Sequence, residues 1–215
     1  MTTSNYKSFC LHHYLNKNVD YKPFFKTINV EKGEMIYQPT TTSLHIYYVI
    51  EGGVSLGEYT HDGNCVTYDI LGKNNIFGNL KYLESGNFYE FSKALTTCTL
   101  LKIEHQFFRD IIIQDHQLSD WFKYYLVKRW CIAEKKLALV NQKSILTKIE
   151  QICKIYFQKV SIDQIQSDYL PNLLTMQELG DLIGVSRQSV SNTLKQKSLQ
   201  VIIDYIEQNG DHIRI

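Results

Sequence analysis

Arg187, Gln188, Asn192 and Lys195 fall within one short stretch of the chain, and their side chains are of the kinds that read nucleic acid. An arginine can donate two hydrogen bonds to guanine O6 and N7, and a side-chain amide can bond adenine N6 and N7. Ser186, Ser189, Ser191 and Lys195 suit phosphate oxygens, which position a protein on a duplex without specifying its sequence. A solvated face of an ordinary helical hairpin would carry the same residue types, so the elements that hold these groups must decide.

Residues 175–197 supply such elements. Thr175 and Glu178 have the spacing of a capping box, in which each side chain satisfies the other's backbone amide. Leu179, Leu182 and Ile183 give the helix an apolar face. Gly180 permits close approach of a neighbouring backbone, and Gly184 can take the left-handed conformation that ends a helix. Ser186 then caps a second helix, on which Val190 and Leu194 point inward. The pattern predicts two helices joined by a glycine turn.

The rest of the chain is a globular sequence of 215 residues with 44% hydrophobic residues, enough for one large domain or two small ones. The opening residues lack a basic segment followed by a long apolar one, so a cytoplasmic protein without membrane contact is expected. The five cysteines are scattered and never paired as C-x-x-C, which predicts buried free thiols and no metal cluster. Net charge is +1, but residues 123–160 hold 9 Lys/Arg against 2 Asp/Glu, and residues 161–215 hold 4 against 7. An acidic C-terminal part weakens phosphate attraction. It makes Lys143, Lys148 and Lys154 candidates to share the phosphate contacts, and it also suits a sensor that acts through protein contacts.

In chain order, residues 5–26 suggest short helical turns packed through Tyr6, Phe9, Leu11, Tyr14, Leu15, Phe24 and Phe25. Strand patterns follow at 35–37, 44–50, 54–59, 65–71, 88–91 and 99–103, separated by turns such as Asp62-Gly63-Asn64 and Ser85-Gly86-Asn87. Many short strands at this spacing predict an antiparallel jelly roll. Helices are expected at 107–113, 116–140 and 144–158. The long one carries two apolar stripes, one of Leu118, Phe122, Tyr125, Ile132 and Leu139, the other of Leu126, Trp130, Ala133, Leu137 and Val140. One stripe can lie on the roll and the other on a twin helix. Arg129 and Lys136 interrupt the first, which predicts a loose or solvated seam. Residues 161–173 should form a loop or small hairpin. After the reading helix, 201–206 and 212–215 flank Asn209-Gly210, a hairpin signal that predicts a wing.

The order of these parts resembles the Crp/Fnr regulators. The resemblance is carried by Lys32-Gly33-Glu34-Met35-Ile36-Tyr37, Tyr47-Tyr48-Val49-Ile50-Glu51-Gly52-Gly53-Val54, Asp62-Gly63, Ile76-Phe77-Gly78-Asn79-Leu80 and the 175–197 stretch; residues 174–180 look similar to the PrfA-like branch. It implies an α+β chain: an N-terminal antiparallel β jelly roll of the cyclic-nucleotide-binding kind (1–114), a long dimerisation helix (115–140) and a C-terminal winged helix-turn-helix (141–215). It further implies a homodimer that reads an inverted-repeat operator in double-stranded DNA with Ser186, Arg187, Gln188, Ser189, Ser191, Asn192 and Lys195, with RNA polymerase as a further partner. Thr193 stands where the family usually has an aliphatic residue, which predicts looser packing.

Cyclic AMP is not expected as effector. Members that bind it have a glutamate where Asn79 stands and an arginine near 88–91, where this chain has Phe88-Tyr89-Glu90-Phe91. A cyclic phosphate would meet Glu90 instead of a cation. An iron–sulfur sensor needs clustered cysteines, and Cys10 stands alone; Cys10, His12 and His13 offer no patterned haem or metal set. Glutathione between the domains is a candidate effector by the resemblance to PrfA-like relatives. The rival class is a cupin-like metal enzyme using His45, Glu51 and His61, but His45 lacks the nearby second histidine such a site needs. No catalytic constellation is present, so no enzyme is expected.

Overall fold

The computed structural model describes residues 9–39, 45–80, 88–162 and 166–210. Tyr6, Leu44, the 85–87 turn, Asp211 and the strand expected at 212–215 lie outside the described residues.

Two four-stranded antiparallel sheets face each other. One has the order β1 (Phe25–Val30), β8 (Cys98–Glu104), β3 (His45–Glu51), β6 (Ile76–Gly78), and the other β2 (Met35–Tyr37), β7 (Glu90–Ala94), β4 (Val54–Tyr59), β5 (Cys65–Leu71). This is the expected jelly roll, with two strands beyond those read from sequence. β1 replaces the last of the helical turns expected over 5–26, and β6 is a three-residue strand paired with Ile46 to Tyr48. The seventh strand sits two residues later than the aromatic run suggested.

β3 explains why its apolar run is continuous. Tyr47 and Val49 point between the sheets, whereas Ile46 and Tyr48 point to a second core built with helices α1 (Leu11–Lys17), α2 (His105–Gln114) and α3 (His116–Val140). A strand buried on both faces has no polar alternation to show. Asp115 caps α3 by accepting the Leu118 amide at 2.7 Å, and Leu118, Trp121, Phe122 and Tyr125 bury against the roll.

A third core lies in the C-terminal part. It joins Leu139 to α4 (Ile145–Ile155), the β9–β10 hairpin (Lys159–Ser161, Ser167–Tyr169), α5 (Met176–Ile183), α6 (Arg187–Gln196) and α7 (Leu199–Asn209). α7 overturns one expectation, because 201–206 is a helix and not a wing strand. Its β-branched run looks extended, but Ser198 caps it and Ile202, Ile203 and Ile206 bury at helical spacing. Asn209-Gly210 is its end, with Gly210 left-handed at φ 59°.

Candidate nucleic-acid interface and effector chamber

The reader is locally over-determined. Thr175 Oγ1 accepts the Glu178 amide at 3.2 Å while Glu178 Oε2 accepts the Thr175 amide at 2.8 Å, so the capping box is complete. Gly184 is left-handed at φ 67°. A Cβ on Gly180 would stand 2.6 Å from the Val185 carbonyl oxygen, so only glycine lets the turn fold back on α5. Ser186 Oγ accepts the Ser189 amide at 3.2 Å and starts α6.

α6 turns Val190 into the core and leaves Arg187, Gln188, Asn192 and Lys195 exposed, with Ser186 exposed beside them and Ser189 and Ser191 half-buried. Gln188 Nε2 donates to Asn192 Oδ1 at 3.0 Å, which holds the two amides side by side. Arg187 occupies the first helical position, where a cation gains nothing from the helix dipole. Its place therefore has no structural reward. Thr193 Oγ1 donates to the Ser189 carbonyl at 2.9 Å, so its hydroxyl is satisfied within the helix and loosens nothing.

The three lysines expected to share phosphate contacts divide. Lys143 is exposed and Lys154 half-buried, but Lys148 is buried and bonded to two main-chain carbonyls, out of reach of any phosphate. The free-thiol expectation holds for Cys98 and Cys153, whose Sγ is pushed up to about 12 by burial. Cys65 is a free thiol too, but it is exposed instead of buried, and Cys10 and Cys131 are half-buried. His12 is half-buried and His13 exposed. His45 and Glu51 sit at opposite ends of β3, too far along one strand to share an ion.

Aromatic rings fill the space between the two sheets at one end of the roll. Rings of Tyr37, Tyr47, Phe77 and Phe88 pack against one another with centroids 5.3–6.1 Å apart. Glu90 accepts the hydroxyls of Tyr37 and Tyr68, and Arg129 of α3 lies near enough to act on its charge. Burial raises the Glu90 carboxyl above its ordinary range, against the pull of the two hydroxyls. The folded chain thus holds this proton more tightly than the unfolded chain does. Stability is then fully present below the ordinary carboxylate range and is lost as pH rises through the raised value. Glu90→Gln should flatten that loss, so its melting temperature exceeds wild type at neutral pH and the difference closes in acid; parallel pH profiles would contradict the assignment.

Arg129 and Lys136 correct the expectation of a loose seam. Arg129 meets Asp69 of β5 at 2.6 Å and Lys136 meets it at 3.5 Å, while Lys136 also donates to the Tyr156 hydroxyl at 2.9 Å and to the Tyr68 carbonyl. Tyr156, just past α4, donates to Asp69. Burial lowers the Lys136 pKa; for Arg129 burial is the largest single influence and also lowers it, but the charges of Asp69, Tyr125, Tyr156 and Glu90 together raise it on balance. The sequence signal was present but unread: two cations seven residues apart share one helix face, and an aspartate sits inside the apolar run of β5. Below this cluster a crevice of about 170 Å³ is lined by Gly72, Lys128, Arg129, Tyr156, Gln158 and others.

Residues 27–115 match the family described as cyclic nucleotide-binding domain. The cAMP-activated global transcriptional regulator CRP of Haemophilus influenzae is 23% identical over 159 residues, covering 74% of this chain and 70% of that protein. The structure of FixK2 from Bradyrhizobium japonicum superposes with a TM-score of 0.62 at 18% identity, covering 82% of this chain and 85% of FixK2. A CooA mutant from Carboxydothermus hydrogenoformans gives 0.64 at 17%, covering 92% and 96%. Residues 27–115 are thus a cyclic nucleotide-binding domain by family, followed in this chain by an unbroken long helix and a helix-turn-helix, and the chain as a whole is similar to the Crp/Fnr regulators.

Proposed function

We propose that the chain is a sequence-specific DNA-binding transcriptional regulator that works as a homodimer on an inverted repeat and does not use cyclic AMP. The observation that carries this is α6: a helix capped at Ser186, anchored through Val190, and exposing Arg187, Gln188, Asn192 and Lys195 on one outward side. Arg187 and Gln188 read base edges, Asn192 stands beside them one helical turn further on, and Ser186, Ser189, Ser191 and Lys195 hold phosphates. Residues 1–114 serve as the sensor part, 115–140 as the dimer helix and 141–215 as the reader, with RNA polymerase as the protein partner.

The relative from Haemophilus influenzae is named as cAMP-activated. Here Glu90 and the packed tyrosines stand against a cyclic phosphate, since an anion would add charge beside a carboxylate. The crevice beside Arg129 is the place for another effector, glutathione among the candidates by likeness to PrfA-like regulators. At about 170 Å³ it is smaller than the roughly 300–1,000 Å³ of ordinary ligand pockets, which favours activity without an effector in this conformation.

A gel-shift assay against inverted repeats recovered by the protein from a randomised duplex library tests the reading. Wild type should bind the recovered repeat equally with and without cyclic AMP. Arg187→Ala should lose roughly 1–3 kcal/mol there and relax preference at one base pair. Unchanged selectivity in the variant would remove Arg187 from the reading set, and failure to recover any repeat would remove the function.

A further inference from the structure

Lys148 is only 6% exposed, yet it carries a charge into the reader's core. Its Nζ donates to the Val140 carbonyl at 2.6 Å and to the Ile183 carbonyl at 3.3 Å. Val140 is the last residue of α3 and Ile183 the last of α5. Both carbonyls belong to helix ends that have no intrahelical partner, and both lie at the negative ends of helix dipoles. One ammonium group therefore ties the end of the long helix to the end of the helix that precedes the glycine turn. The two ends are also in van der Waals reach, because a Cβ added to Gly184 would come within 3.0 Å of Val140 Cγ1.

An apolar residue at this position would fill the space without the desolvation penalty of a buried ammonium. What only a long cation provides is the three donors that can span two helix ends. The geometry matters because α6 begins at Arg187, four residues beyond Ile183, and the turn between them is fixed by Gly180 and Gly184. Whatever fixes Ile183 against Val140 also fixes α6 against α3.

We infer that Lys148 is a positioning residue that sets the angle between the dimer helix and the reading helix, and through it the half-site spacing the protein accepts. This rests on the reading of α3 and α6 as a paired DNA reader. Inserting one base pair between half-sites turns one of them by about 34° around the duplex axis, so a rigid pair of reading helices must discriminate strongly between spacings.

The test uses the full chain and the inverted repeat that wild type recovers, with its spacer as found, shortened and lengthened by one base pair. Wild type should favour one spacing by roughly tenfold or more, of the size of a single lost base contact. Lys148→Met should reduce that ratio toward unity while keeping the same preference within each half-site, and Lys148→Arg should restore it. A ratio of affinities does not depend on how much of the sample is folded, so reduced stability alone leaves it unmoved. Where Lys148→Met does not fold, Lys148→Gln, whose uncharged amide ends one atom short of the lysine Nζ, carries the same expectation. Undiminished spacing discrimination in the folded variant overturns the role of Lys148 alone. A wild type that recovers no repeat overturns the DNA reading, and this inference with it.

Discussion

Asp69→Ala lowers stability by about 2–4 kcal/mol, a fall of roughly 5–15 °C in melting temperature, and is the most damaging single replacement expected outside the apolar cores. Asp69 is 5% exposed and its carboxylate is the common acceptor for Arg129, Lys136 and Tyr156. Removing it leaves two cations in a pocket that was closed around a counter-charge. Among the described residues Arg129 Nη1 is already buried without a hydrogen-bond partner, so no acceptor among them is in place to take over from Asp69. Breaking a buried pair from one side costs about 3–5 kcal/mol; the lower figure here allows for the 27% exposure of the Arg129 side chain. Lys136 can relieve part of the strain by losing its proton, since burial already lowers its pKa. Thermal melting followed by circular dichroism checks the effect. Adding Arg129→Met to Asp69→Ala should recover part of the loss, and strict additivity of the two would show that the pair is not coupled.

Leu137→Glu breaks the homodimer and weakens operator binding by roughly 10²–10⁴, the range lost when a bivalent attachment becomes a single one. Leu126, Trp130 and Leu137 remain 43%, 67% and 69% exposed on α3 after the helix has packed against the roll. With Ala133 and Val140 they repeat at alternating steps of four and three, the spacing of a coiled-coil seam. Exposed large side chains in one row on a monomer ask for a partner, and the facing row of a second copy is the symmetric solution. Light scattering should report a dimer for wild type and a monomer for Leu137→Glu with its melting behaviour retained. A variant that remains dimeric would place the interface elsewhere.

The two expectations rest on residues that differed in legibility. The α3 stripe and both of its bounds were readable, because Asp115 and Asn141 flank an amphipathic pattern and helix periodicity is local. The reader was readable for the same reason: the Thr175 to Glu178 box, Gly184 and Ser186 each specify a backbone state within a few residues. The helix α7 was misread because Val201, Ile202 and Ile203 are β-branched and Asn209-Gly210 serves equally as a hairpin turn or a helix stop. Only the burial of Ile202, Ile203 and Ile206 in the core shared with α4 separates the two. Asp69, Arg129, Lys136 and Tyr156 lie far apart in the chain, and no local pattern states that they meet. Lys148 looked like a surface cation because nothing within a helical turn of it reveals that two other helices end at its ammonium group.

β5 is the outer strand of its sheet, and its open side faces α5, where Asp181 Oδ2 accepts the Thr67 amide at 3.0 Å. An unpaired strand edge is a template onto which another chain can add itself. In this arrangement the reading domain acts as a guard over that edge, with a side chain in place of a neighbouring strand. Any motion that carried the reader away from the roll would leave the Thr67 amide without its acceptor and open that strand edge to solvent.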